Sequence, residues 1–78
     1  MSESKLLQRA RRRSREQLQA LASEMRALRE DAGISQRAVA RAAGLAQSSL
    51  SGIEGGRTEP SLETLGRLAA VQIGRAHV

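Results

Sequence analysis

A chain of 78 residues with a formal charge of +5 has room for one small domain and favours an anionic partner, nucleic acid ahead of an acidic membrane. It contains no cysteine, which excludes a disulfide framework, a zinc finger and thiol chemistry. It contains no Phe, Tyr or Trp, so it offers no platform for stacking bases, and its core must be built from Leu, Ile, Val, Met and Ala.

Residues 1–17 carry Lys5, Arg9, Arg11, Arg12, Arg13 and Arg15 against Glu3 and Glu16, a local charge of +4. Leu7, Ala10, Ser14, Leu18, Leu21, Met25 and Leu28 recur at three- and four-residue steps with no Gly or Pro between them, which is helical periodicity. The spacing predicts one helix over Ser4–Ala32, capped by Gly33, whose first half has little to pack against. By composition alone, that basic arm fits a solvated extension as well as a phosphate-contacting one. Ser35 is a good N-cap for a helix Gln36–Ala43 ended by Gly44, and a second short helix, Gln47–Glu54, is ended by Gly55 and Gly56. Pro60 and Ser61 open another helix from Leu62 to about Val71, with Glu63 in the first turn, where the helix dipole favours an acid. No window alternates with period two in strand-forming types, so the fold class is all-α.

The most informative stretch is Gln36–Gly55, QRAVARAAGLAQSSLSGIEG. Two short helices meet across a tight turn. Ala40 is small where the second helix crosses closest, and Gly44 occupies the turn, where positive φ is expected. Val39 and Ala43 on the first helix, and Leu45, Leu50 and Ile53 on the second, form the inner faces. Gln47, Ser48, Ser51 and Gly52 are then left on the outer face, small or polar groups suited to base edges, although a plain solvated helix face would look similar.

The run from Met25 to Val71 resembles the phage-repressor and Cro type of helix-turn-helix domain, also called Xre-type. The residues that carry the resemblance are Arg29, Gly33-Ile34-Ser35-Gln36, Ala40, Gly44, Ile53-Glu54, Gly56 and Pro60 in register. The match covers about residues 21–71, within a domain bounded at 18–71, and implies a compact domain of four to five helices whose first helix is here extended. It also implies sequence-specific binding of double-stranded DNA by a transcriptional regulator, repressor-like or antitoxin-like, with helix 47–54 in the major groove and a homodimer on a palindromic site. Carried onto this sequence, Gln36 matches a phosphate contact, and Gln47 and Ser48 match the leading base contacts. Ser51 and Gly52 lie further along the same face, and Arg57 matches a backbone-contacting loop position. The amide of Gln47 suits adenine N6 and N7. The resemblance further implies an ion pair between Arg29 and Glu54.

Three features depart from the pattern. Ala46 stands where the family commonly has a Ser or Thr N-cap, a loss of about 1 kcal/mol. Gly52 inside the second helix costs about as much again relative to Ala. The reading face carries no Lys or Arg, which motivates an alternative reading in which the fold serves as a protein-interaction module, with a cognate toxin or another protein as partner.

The family ordinarily continues into a fifth helix, so the chain is expected to be C-terminally truncated. Residues 72–78 are read as a non-native tail: Gln72–Val78 back-translates as CAG ATC GGA AGA GCA CAC GTC, the opening of a widely used sequencing adapter. His77, the sole histidine, is therefore not offered as a ligand or general base. Residues 18–71 carry six Arg and six Asp or Glu and are net neutral, so the arm holds most of the surplus charge. No enzyme, cofactor or metal is expected, because no ligand cluster, nucleophile–base pair or phosphate loop is present. No run approaches the roughly 18 apolar residues that span a bilayer, and Met1–Ser14 is no secretory signal. A cytoplasmic protein is the expectation.

Overall fold

In the computed structural model, residues 2–76 are described and form four α-helices with no strand among them: α1 Ser2–Asp31, α2 Gln36–Ala43, α3 Gln47–Glu54 and α4 Leu62–Ala76. The all-α expectation holds, at the lower of the two helix numbers. The two short helices have the bounds read from the sequence. His77 and Val78, the end of the expected tail, lie outside the described residues.

Helix α1 is far longer than the body it packs on. Thirty residues make about 45 Å of helix, and the molecule measures 51 × 24 × 19 Å. Residues 4–17 are exposed throughout, as expected for a helix whose first half has no neighbour. Where α1 meets the other helices it turns Leu18, Ala22, Met25 and Arg29 inward, a three- and four-residue spacing that keeps one face on the core.

The buried core is Ala22, Val39, Ala40, Ala43, Leu50, Ile53, Leu65 and Leu68, with Leu18, Met25, Ile34, Leu45 and Val71 packed against it. Every helix contributes, and α2 sits between α3 and α4 while α1 lies across both. Ala40 is 1% exposed, so a longer side chain there would have to displace a neighbouring helix. Full burial of each Leu is worth roughly 1.5–3 kcal/mol, a modest total for a core without aromatic rings.

The junctions follow from local chemistry. Ser35 Oγ accepts the Ala38 N–H at 3.0 Å and opens α2. Gly44 ends α2 at φ 72°, and with Leu45 N–H donating to Ala40 O at 2.8 Å the chain reverses into α3. Ser61 Oγ accepts the Thr64 N–H at 3.0 Å and opens α4. That helix continues to Ala76 rather than ending near Val71. Gln72 and the residues after it include no proline to stop it, and Gln72 Nε2 donates to Met25 O at 3.1 Å across to α1.

Two glycines separate backbone strain from packing. A Cβ built on Gly44 or on Gly66 would meet no atom within 4 Å, but only Gly44 has positive φ. Gly44→Ala should therefore lower stability by about 1–2 kcal/mol, whereas Gly66→Ala, inside α4, should raise it by up to about 1 kcal/mol. Urea titration checks both, and equal shifts in the same direction would contradict the assignment.

Candidate nucleic-acid interface

Helix α3 is fixed from its C-terminal end. Arg29 projects from α1 and forms a bidentate pair with Glu54, the last residue of α3: Nε donates to Oε2 and Nη2 to Oε1, both at 2.8 Å. The third nitrogen, Nη1, donates to Ile34 O at 2.8 Å in the turn before α2. Gln36 Nε2, on α2, donates to Glu54 Oε1 at 2.9 Å. The two charged side chains are only 10% and 7% exposed. One buried ion pair thus joins α1, the α1–α2 turn, α2 and α3.

The pair shifts both groups. Burial pushes the Glu54 carboxyl up, but hydrogen bonds from Arg29 and Gln36, with the charges of Arg29 and Arg26, outweigh it and hold the carboxyl below its ordinary range. The Arg29 guanidinium is raised further by its bond to Glu54, against the opposing effect of burial.

The far end of α3 is less constrained. Ala46 occupies the N-cap position with no side-chain hydrogen bond, as the sequence implies. Gln47 and Ser48 are exposed in the first turn and Ser51 is half-buried one turn later. These three share one edge. Ser49 is exposed too but lies round the helix from them; helical phase in the sequence shows this as well, though it was not among the expected contacts.

Three expected site residues need correction or refinement. Gly52 is not on the outer face. It is buried, because the loop after α3 folds back so that Arg57 N–H and Thr58 N–H both donate to Gly52 O, at 2.9 and 3.0 Å. A Cβ on Gly52 would lie 2.5 Å from Thr58 Oγ1, so a side chain here would force Thr58 to shift. Gln36 is half-buried and spends an amide hydrogen on Glu54, which makes it a brace for the ion pair. Arg57 is exposed, but its Nη2 donates to Ser51 O and Ser51 Oγ, each at 3.2 Å, placing a cation at the negative end of α3.

The two-helix unit, its glycine turn and the exposed edge of its second helix can be set beside known proteins. A family model described as a helix-turn-helix domain matches residues 20–72, more than half of the chain. The chain belongs to the helix-turn-helix domain family. No curated protein and no solved structure matches it. A helix-turn-helix domain suggests DNA binding, and α3 is the second helix of the motif here. Among the described residues no helix is long and apolar enough to cross a membrane, and no group of three or more His, Cys, Asp or Glu could hold a metal ion.

Two measurements test how this helix-turn-helix is held. Because the folded carboxyl of Glu54 titrates below its ordinary value near 4.5, its contribution to stability is complete above that pH and is lost as pH falls through the folded value. Glu54→Gln should therefore cost about 3–5 kcal/mol near neutrality, with the gap to the parent closing in acid. A gap unchanged by pH would contradict the ion pair. In a double-mutant cycle, Gly52→Ala should destabilise despite its better helix propensity, and much less so when combined with Thr58→Gly, with a coupling of about 1 kcal/mol or more. Additive effects would show that the two positions do not touch.

Proposed function

We propose that the protein binds double-stranded DNA in a sequence-specific manner as a transcriptional regulator, repressor-like or antitoxin-like, with α3 in the major groove. The observation that carries this reading is the edge formed by exposed Gln47 and Ser48 with half-buried Ser51, presented by a helix whose C-terminal end is clamped by Arg29 and Glu54. Gln47 is the base-reading residue, with an amide suited to adenine N6 and N7, and Ser48 is a weaker, less selective contact. Arg57 supplies a backbone contact: among the described residues only Nη2 of its guanidinium is engaged, which leaves its other side-chain nitrogens for a phosphate. Gln36 supports the same surface through Glu54. The active species is a homodimer on a palindromic site, following the Xre-type resemblance, and the setting is cytoplasmic.

A specific feature favours a second reading. The exposed edge of α3 bears no cation, and the segment 18–71 is neutral overall, which suits a protein partner such as a cognate toxin. Selection from random duplexes separates the two. On the DNA reading it recovers a palindrome with half-sites about 34 Å apart. Gln47→Ala then relaxes preference at one base step by about 1–3 kcal/mol, while Arg57→Ala weakens all duplexes alike and flattens the salt dependence. Recovery of no motif, with capture of one specific protein, would favour the second reading instead.

A further inference from the structure

We infer that one edge of the long first helix is a phosphate-binding track set in register with α3; this rests on the DNA-binding reading above. The basic arm is not a separate tail, since α1 runs without a break from Ser2 to Asp31. Its side chains therefore have fixed directions relative to the body. Two residues mark the edge that faces α3 and its following loop: Arg26 Nη1 donates to Glu54 O and Gln19 Nε2 donates to Thr58 O, each at 3.4 Å. They are seven residues apart, about two turns. The same interval carried toward the N-terminus reaches Arg12 and then Lys5. Arg15 lies between Arg12 and Gln19 on this edge, and Arg12, Arg15, Glu16 and Gln19 line one open groove with Glu59 of the loop.

The cations on this edge are available. Lys5, Arg12 and Arg15 are exposed, and among the described residues none of them forms an ion pair. The edge continues past the loop that bears Arg57, and Lys5 to Arg15 spans about 15 Å of helix. A duplex seated on α3 has its sugar–phosphate backbone beside that loop, so the edge lies alongside the strand as it leaves the major groove. Arg9, four residues from Lys5 and three from Arg12, shares this edge, whereas Arg13 belongs to another side. Arg13 points about 100° round the helix from Arg12 and does not line the groove. The arm thus divides into cations aimed at the duplex and cations aimed away, a distinction that net charge does not make.

Two single variants remove the same charge from different edges: Arg12→Gln and Arg13→Gln. Gln resembles Arg in helix propensity, and circular dichroism should show both variants folded. Binding of the full chain to the selected duplex and to an unrelated duplex is measured over a range of salt. Arg12→Gln should lose about 3-fold or more on both duplexes at low salt and flatten the slope of log K against log salt by about 1. Arg13→Gln should lose less than about 2-fold, through diffuse electrostatics. Equal losses from both variants, or no loss from Arg12→Gln, would overturn the track while leaving sequence-specific binding by α3 intact. An unmodified protein with no affinity for any duplex would overturn both.

Discussion

The buried pair between Arg29 and Glu54 is the interaction on which the arrangement depends. Glu54 ends α3, where the helix dipole disfavours an anion, and an eight-residue helix does not persist alone in water. Arg29 answers both problems. It neutralises the carboxylate, and its remaining nitrogen ties the turn that leads into α2. Arg26 donates to the Glu54 carbonyl, Arg57 to the Ser51 carbonyl and Gln36 to the carboxylate, so the end of α3 is held from three sides. Such a pair adds little net stability over an apolar substitute, because both ions are desolvated. What it contributes is a fixed angle for the helix.

The other end of α3 has no comparable restraint. Ala46 provides no side-chain cap, and interior Gly52 lowers helix propensity. That end is tied to α2 through the Gly44 turn and the Leu45 N–H to Ala40 O bond, and it leaves Gln47 and Ser48 exposed. Charge is distributed in a similarly uneven way. Residues 18–71 are neutral and the arm carries +4, so positive potential comes mainly from a helix that projects beyond the folded body. On the proposed function, base preference and general affinity for the backbone reside in different parts of one molecule.

Much of this was legible in the sequence wherever punctuation was chemical. Helices α2 and α3 kept their read bounds because Ser35, Gly44 and Gly55 leave few alternatives at those positions. The end of α4 was misplaced because nothing after Val71 forbids another turn, and Gln72 gains a bond to α1. Gly52 was assigned to the wrong side because a helical wheel contains no information about a loop folding back over it; Thr58 closes that position from six residues away. Gln36 opens α2 as read, but the bond from its amide to Glu54 depends on a residue 18 positions away and is not visible in local sequence. The Arg29–Glu54 pair joins residues 25 apart, beyond any local periodicity, and was reached only through the family resemblance.

The central claim is that the free edge of α3, held from behind by Arg29 and Glu54, is the surface that meets DNA. The most direct measurement is titration of isotopically labelled protein with its selected duplex, followed by amide spectra. The account predicts the largest changes at Gln47, Ser48 and Ser51, including the side-chain amide of Gln47, with the Arg29–Glu54 contact undisturbed. Changes confined to α4 or to the Leu21–Leu28 side of α1, with α3 silent, would contradict it.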